Sequence, residues 1–435
     1  MRIKIFIIAI CIFTLTLITS CVDEPGEPGE INIWSFTDEI SKIMGIYEEL
    51  YPQYSGKFNH TNIPTTDDLY LPALNSALEG GANAPDIYIV EAAFVLKYTK
   101  GDMSQYALPY KDLGINIDQA LVSADIAEYT VDIGKNTDNE IVALCYHATG
   151  GAFIYRRSIA KDVWGSDDPN IIKTKIGPGW DKFFEAAEAL KTKGYGIISG
   201  CNDLWYAVEN EAEKGWVVDG KLYIDPAREK FLDYAKDIID KGYSNNTKDW
   251  TSAWYDDMND EGPKKIFGYF GPAWFVNYVL AAQGPDTSGD WAICEPPNGF
   301  FWGGMWILVN KNSAVKKEAA EIINWLTLDT SNTGLQYLWA NRIYSDVSGA
   351  KDAVASAAVM AKSNGANDFL GGQNMFDVFI PAGKLANGKI ITEFDNTINY
   401  FWLGEAKSYA AEEKSRTEAL ASFKQLVSNN FGITE

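Results

Sequence analysis

The sequence predicts an α/β fold with two lobes, between which the chain crosses more than once. Three observations support this prediction. Residues 31–90 alternate between strand and helix patterns, which is typical of a parallel sheet covered by helices. The alternation resumes near residue 141 with different residues. No low-complexity linker separates two independent halves, and a chain of 435 residues is long enough for two or three cores.

The first lobe begins with a β-α-β-α-β pattern. Its strands combine β-branched and apolar residues, and its helices carry apolar residues at i, i+3, i+4 and i+7. Pro52 follows the first helix, and Gly80-Gly81 ends the second. In order, the predicted elements are a strand at 31–36, a helix over 40–50, a strand at 57–63, a helix over 71–80 and a strand at 86–90.

The second half repeats the class of element but not the sequence. An apolar, extended run over 141–155 is interrupted by Thr149-Gly150-Gly151. Asp225-Pro226 is typical of a helix start, and Gly242 of its end. The other predicted elements are a helix over 180–190 ending at Gly194, strands at 266–270 and 306–309, an amphipathic helix over 319–326 and a mostly helical last hundred residues.

The N-terminal 21 residues resemble a bacterial lipoprotein signal. Arg2 and Lys4 precede an apolar run of 13 residues, which is too short to span a bilayer, and Ile18-Thr19-Ser20 leads directly into Cys21. Residues 22–30 (VDEPGEPGE) cannot continue a helix. We therefore predict a signal peptide over 1–20, lipidation of Cys21 and a tether over 21–30. A core helix or a simple membrane anchor is the alternative.

The charge balance excludes several partners. Without the two basic residues of the predicted signal, 35 Lys and Arg remain against 59 Asp and Glu, which gives a net charge of −24. A surface this acidic repels phosphate backbones and anionic headgroups. We expect no nucleic acid, and no membrane contact other than the lipid anchor.

Metal and nucleophile chemistry has little support in the composition. His60 and His147 are the only histidines, which argues against most zinc sites and His-based nucleophiles. The three cysteines after the anchor are odd in number and far apart, so we expect buried thiols and no disulfide framework. They are Cys145, Cys201 and Cys294. We predict no metal and no cofactor.

An aromatic loop is the most specific pattern. Residues 296–310 (PPNGFFWGGMWILVN) form a Pro/Gly-rich loop that carries four rings, counting Trp306, and then runs into a strand. Gly303-Gly304 at a strand start indicates close approach of the backbone to another group. Rings beside exposed N–H groups suit a sugar, whose C–H faces stack on indole. The alternative is a hydrophobic turn that fills the core.

Further candidates follow predicted strands. Trp274 follows the strand at 266–270 after a Gly-Pro turn. Trp34 and Asp38 lie at the end of the first strand, and Glu91 follows the third. In open parallel sheets, ligands bind outside the carboxyl ends of strands. Asp38 is equally suited to capping the following helix, and Glu91 has the same ambiguity.

Catalytic patterns are incomplete. The stretch starting at Asp257 begins like a calcium loop, but its twelfth position is Gly268 rather than Glu. Ser158 and Lys161 match S-x-x-K without the companion motifs of acyl-enzyme chemistry. A glycoside hydrolase needs only two suitably spaced carboxylates, so that alternative stays open, as does a structural lipoprotein whose rings only fill the core.

Several segments together are similar to extracellular solute-binding proteins (family 1 type) of bacterial carbohydrate ABC transporters. They are the lipoprotein start, INIWSFTDEI, GANAPDIYIVEAAFVLKYTKGD, ALCYHATGGAFIYRRSIA, FGYFGPAWF and GDWAICEPPNGFFWGGMWILVNKNS. The resemblance implies a periplasmic-binding-protein-like (type II) fold, whose two lobes join at a hinge of crossing segments. It places lobe 1 at 31–146 plus 305–328, and lobe 2 at 147–304 plus 329–435. The crossings would be 144–152, the FFWGGMW segment and 325–329.

The resemblance also implies a function. The protein would be a non-catalytic receptor that captures a mono- or oligosaccharide between its lobes and passes it to the permease subunits of an ABC importer. We expect a monomer, lipid-anchored at the extracytoplasmic face of the cell membrane. The implied cleft residues are Trp34, Asp38, Glu91, His147, Thr149, Trp274, Trp302 and Gly303.

Overall fold

A computed structural model describes residues 29–65, 69–80, 83–344 and 350–435. The predicted signal peptide, Cys21 and nearly all of the predicted tether lie outside the described residues. Within the described ranges, no helix is both long and apolar enough to cross a bilayer.

The described residues form strands and helices that follow the predicted alternation. In chain order, strands β1 to β12 are Ile31–Ser35, Phe58–Asn62, Ile87–Glu91, Ala143–Cys145, Ala152–Arg156, Val217–Val218, Lys221–Leu222, Gly268–Gly271, Trp291–Cys294, Met305–Val309, Ala366–Asn367 and Gln373–Asn374. Helices α1 to α18 are Glu39–Leu50, Tyr70–Gly80, Val95–Thr99, Ile117–Ala124, Glu128–Ile133, Arg157–Trp164, Pro169–Ile176, Trp180–Thr192, Trp205–Glu209, Pro226–Asp240, Ser252–Met258, Ala281–Gln283, Lys316–Thr327, Leu335–Ala340, Ala357–Ala361, Phe376–Leu385, Asp395–Ala410 and Arg416–Phe431. A π-helix, Phe275–Leu280, precedes α12.

The first sheet has the strand order β2-β1-β3-β10-β4. β1 is parallel to both β2 and β3, so the predicted β-α-β-α-β opening is confirmed. β10 enters from far along the chain and runs antiparallel to β3 and β4. Its first residue, Met305, lies opposite Glu91 in the register. The loop before β10 therefore reaches the same edge of the sheet as the end of β3.

The second sheet is smaller and antiparallel, with the order β8-β5-β9. Its β9 strand was not predicted from strand patterns. Of the helices of this half, α10 starts as predicted, because the Asp225 carboxylate accepts a hydrogen bond from the Ala227 N–H at 3.0 Å. Helices α17 and α18 pack against each other, and α17 packs on α10. The long C-terminal helices thus join the second sheet's side of the molecule.

Two chain segments run side by side between the sheets. The Gly151 N–H donates to the Phe300 carbonyl at 2.8 Å, and the Trp302 N–H donates to the Thr149 carbonyl at 3.0 Å. A third segment, 352–356, pairs with the first, since the Ala148 N–H donates to the Ala353 carbonyl at 3.1 Å. The close approach explains Gly151, where a Cβ would lie 2.0 Å from the Phe300 ring.

The predicted lobe boundaries stay a prediction. The third predicted crossing, 325–329, lies at the end of α13, which packs on α14. The predicted buried thiols are confirmed, since Cys145, Cys201 and Cys294 are unpaired and buried.

Candidate functional site

The loop before β10 has a backbone shape that requires glycine. Gly303 and Gly304 have φ of +76° and +123°, where a residue with a Cβ is strained. The Gly303 carbonyl accepts a hydrogen bond from Thr149 Oγ1 at 2.8 Å. The Trp302 carbonyl accepts one from Trp274 Nε1 at 3.1 Å. Side chains from two other segments therefore fix this loop, and both belong to predicted site residues.

Trp302 is the centre of an aromatic cluster. Tyr206 stacks on its ring, with centroids 4.6 Å apart and planes at 21°. Trp274 meets it edge-on at 4.9 Å, Phe275 lies at 5.6 Å and Trp250 at 5.8 Å. Because Tyr206 covers one face of Trp302 and Phe275 lies close as well, the Trp302 indole is only partly exposed.

Beside Trp302 opens a cavity of about 380 Å³. Its walls come from the end of β3, from α9, from the loop before β10 and from the start of α17. Tyr400, 73% exposed, stands at its border. The lining includes Glu91, Trp302 and Gly303, which were predicted from sequence. Its other carboxylate and amide side chains are Glu209, Asn210, Asp395, Asn396 and Asn399.

Glu91 brings a carboxylate to the wall of this cavity. Its Oε2 accepts a hydrogen bond from the Ala93 N–H at 2.9 Å. Burial raises the pKa of Glu91 to about 7, with the hydrogen bonds from the Ala93 and Ala92 N–H groups opposing the rise. No Lys or Arg is among the described residues that line the cavity, so Glu91 has no cationic partner there.

Two buried carboxylates lie deeper in the wall. Glu209 and Asp395 are 6% and 7% exposed, and Glu209 Oε1 and Asp395 Oδ2 accept no hydrogen bond from the described residues. The fully buried Arg228 guanidinium lies behind them, 3.7 Å from Glu209 Oε1. Burial and the neighbouring Glu209 charge raise the pKa of Asp395 to about 7. Asn399 links this cluster to the cavity by donating to Glu209 at 3.4 Å.

The structure brings five of the eight predicted site residues together. Glu91, Trp302 and Gly303 line the cavity, and Thr149 and Trp274 bind its loop by the hydrogen bonds described above. The other three residues lie elsewhere, and a ligand role for them stays a prediction.

Trp34 and Asp38 do not line this cavity. Trp34 is partly buried and packs against an apolar cluster that includes Tyr88 and Val90 of β3. The Asp38 side chain is 66% exposed and pairs with Lys42 at 2.7 Å, one helical turn later. It makes no capping hydrogen bond. The capping alternative is therefore not seen, and Asp38 forms a local surface ion pair instead.

His147 lies on the first crossing segment, at a different part of the sheet edge. Its ring is 12% exposed, and Nε2 is 3.7 Å from Glu39 Oε1 without a hydrogen bond. Burial lowers the pKa of His147, with Glu39 opposing this effect. Glu39 instead accepts from the Tyr146 hydroxyl at 2.5 Å. Among the described residues, none forms a hydrogen bond with His147 Nε2, which lies beside the acidic start of α1.

A sequence profile of the family described as bacterial extracellular solute-binding protein matches residues 47–368. The match covers well over half of the chain. This chain belongs to that family. Membership implies an extracytoplasmic location. A comparison with curated protein sequences gave no significant match.

Solved structures of similar fold cover nearly the whole solute-binding protein. One, an extracellular solute-binding protein of family 1, is 18% identical with a TM-score of 0.76, covering 92% of this chain and 99% of its own. The galacto-N-biose/lacto-N-biose I-binding protein of an ABC transporter from Bifidobacterium longum, solved with lacto-N-biose, is 14% identical with a TM-score of 0.70 over 94% and 100% of the chains. An ABC-transporter-associated binding protein from B. animalis subsp. lactis Bl-04, solved with β-1,6-galactobiose, is 20% identical with a TM-score of 0.62 over 94% and 100%. The predicted two-lobed α/β fold is therefore confirmed.

Several residues of the site in this solute-binding protein were not predicted. Tyr206 and Glu209 lie in α9, whose five residues are too few for a clear periodic pattern. Asp395 and Asn399 come from α17, nearly two hundred residues later. Trp250, which contacts Trp302 but does not line the cavity, carried a weak signal as an indole in a polar stretch shortly before a short helix. The rest depends on long-range packing that spacing alone does not reveal.

Proposed function

We propose that this solute-binding protein is a carbohydrate receptor that captures a mono- or oligosaccharide and delivers it to an ABC importer without chemical change. The observation that carries the proposal is the cavity beside Trp302, which combines aromatic rings, Glu91 and amide side chains, with no Lys or Arg among the described residues that line it. The aromatic rings match the apolar C–H face of a sugar ring, and the hydrogen-bonding groups match the hydroxyls around its edge. The sugar ligands of the structural relatives agree with this proposal.

Each group has a separate task in this proposal. The aromatic cluster contacts the apolar C–H face of a pyranose. Glu91 accepts hydrogen bonds from hydroxyls, and Asn396 and Asn399 supply both donors and acceptors. A buried acceptor left without its donor is costly, so a ligand that lacks the matching hydroxyl binds weakly. This gives selectivity without catalysis.

Binding of the sugar also shifts the equilibrium between an open and a closed arrangement of the two lobes. The cavity walls come from elements on both sides of the paired crossing segments, so a ligand that contacts both sides stabilises the closed arrangement. The closed form is the one that we expect the permease subunits to recognise. Lipidation of Cys21 would hold the receptor near them, with residues 22–30 providing reach.

The glycoside hydrolase alternative has weaker support. Hydrolysis needs an acid and a second carboxylate on either side of the scissile bond. Three carboxylates line the cavity, but Glu209 lies 3.7 Å from the Arg228 guanidinium, and both Glu209 and Asp395 are almost fully buried, at 6% and 7% exposure. Neither is placed to act on a bond opposite Glu91. We therefore propose that the protein is not an enzyme.

A thermal-shift screen of the soluble protein starting at Val22 tests the proposal. The panel contains monosaccharides together with lacto-N-biose, β-1,6-galactobiose and maltose. A sugar present at about a hundred times its Kd stabilises the folded state by roughly 2.7 kcal/mol. A clear shift, with the sugar recovered intact, supports the receptor. Cleavage of the sugar would support the hydrolase, and absence of any shift would refute carbohydrate binding.

A further inference from the structure

Trp250 has a backbone conformation that its side chain disfavours. It has φ of +62° and lies in the turn directly before α11. A residue with a Cβ is strained in this left-handed region, whereas glycine is not. Among the described residues, eight non-glycine residues have positive φ; five of them are Asp or Asn, and Trp250 is the only aromatic one. The turn geometry at this position therefore favours glycine, asparagine or aspartate over tryptophan.

The side chain is also unusually exposed. Trp250 is 49% exposed, and it is the only tryptophan among the described residues that is more than about a third exposed. One edge packs on the fully buried Trp254, whose ring centroid lies 5.4 Å away. Packing uses only part of the indole, so core formation does not explain why the largest side chain occupies this strained position.

The neighbours of Trp250 point to a ligand. Its ring meets that of Trp302, which lines the cavity, at 5.8 Å with the planes at 73°. Tyr206 covers one face of Trp302, which reduces the indole surface that Trp302 offers. Trp250 therefore presents the freest indole surface of this cluster. Strained residues that the surrounding structure holds in place are concentrated at binding sites.

We propose that Trp250 is a ligand-contacting residue, whose exposed indole stacks on a pyranose ring of the bound saccharide next to Trp302. This inference rests on the proposed function. In this arrangement Trp302 supports the Trp250 ring rather than providing the main stacking surface itself. The binding site then extends beyond the cavity toward α11. The protein retains a strained tryptophan because the ligand needs the indole, not because the fold does.

Substitution of Trp250 by glycine distinguishes a role in ligand binding from a role in packing, because glycine removes both the ring and the backbone strain. The probe is whichever of lacto-N-biose, β-1,6-galactobiose and maltose most raises the unfolding midpoint of the wild-type protein. Calorimetric titration then compares the wild type with Trp250→Gly, Trp250→Phe and a control, Trp164→Ala. Trp164 is a partly exposed tryptophan at the end of α6 that contacts Phe267.

We expect Trp250→Gly to weaken binding about tenfold or more, since an aromatic stacking contact contributes on this scale. Its midpoint without sugar should equal or exceed that of the wild type. Trp250→Phe should keep most of the affinity, and Trp164→Ala should keep all of it.

Unchanged affinity in Trp250→Gly would overturn the inference and leave the proposed function standing. A lowered midpoint in Trp250→Gly without sugar would also overturn it, because the indole would then serve packing. If the wild type binds no carbohydrate, the proposed function fails, and this inference fails with it.

Discussion

Glu91→Gln is the substitution whose effect follows most directly from the structure. The change keeps the size of the side chain and an oxygen that can accept the Ala93 N–H hydrogen bond. It removes only the ability to ionise. Burial raises the pKa of Glu91 from its ordinary value of 4.5 to about 7, so the ionised form is disfavoured in the folded protein without ligand.

The sign and size of the effect follow by linkage. Between pH 4.5 and about 7, Glu91 is ionised in the unfolded chain but still protonated in the folded one, so stability falls as the pH rises through this window. Each pKa unit is worth about 1.4 kcal/mol, so the total loss is about 3 kcal/mol and is constant above pH 7. Glu91→Gln avoids this loss. Its stability relative to the wild type should therefore rise by about 3 kcal/mol from pH 4.5 to pH 7.5.

Urea unfolding of both proteins at a series of pH values measures this difference. Other buried carboxyls with a raised pKa, such as Asp395 and Asp203, are present in both proteins and cancel in the comparison when the sites are independent. A stability difference that does not change between pH 4.5 and 7.5 would refute the reasoning. The same variant should bind the sugar roughly ten- to a hundredfold more weakly at pH 8, because a hydrogen bond to a charged acceptor is lost.

Three other predictions address the aromatic cluster, the buried ion cluster and the anchor. Trp302→Ala should lower the free energy of unfolding by about 2–4 kcal/mol, because Tyr206 loses its stacking partner, and it should abolish sugar binding, because the aromatic surface beside the cavity loses its support. Trp302→Phe should recover most of the stability, and an unaltered stability of Trp302→Ala would contradict the packing. Arg228→Ala should cost about 3–5 kcal/mol at pH 8, since it leaves buried carboxylates uncompensated. Protonation of those carboxyls should reduce that cost at pH 5. Urea unfolding at both pH values measures the loss of stability, and a loss that is the same at pH 5 and pH 8 would contradict this explanation. Cys21→Ser should release the protein from membranes into the soluble fraction in cell fractionation, and continued membrane association would contradict lipid anchoring.

The sequence predicted regular elements well where a local pattern determines them. The alternation in β1 and the helical spacing in α1 depend on residues within one element, and both elements formed as expected. The antiparallel course of β10 depends on a pairing with β3 across more than two hundred residues. No local pattern encodes such a pairing.

The site residues likewise divide into those that a local pattern predicts and those that depend on long-range contacts. Glu91 was predicted because the end of a strand in a parallel sheet is a general place for ligands, and Trp302 because an aromatic Gly-rich loop is unusual. Asp38 satisfied the same positional rule, but Lys42 one turn later offers its carboxylate a local partner. Tyr206 and Trp250 were missed because their importance arises only from their contacts with Trp302.

The most direct test of the account is calorimetric titration of the soluble wild-type protein with lacto-N-biose, β-1,6-galactobiose and maltose, followed by NMR of the recovered sugar. We predict saturable binding of at least one of them at a single site, with the sugar unchanged after long incubation. Absence of binding by all three, together with no thermal shift across the wider sugar panel, would contradict the carbohydrate receptor, and a cleaved sugar would contradict a non-catalytic role.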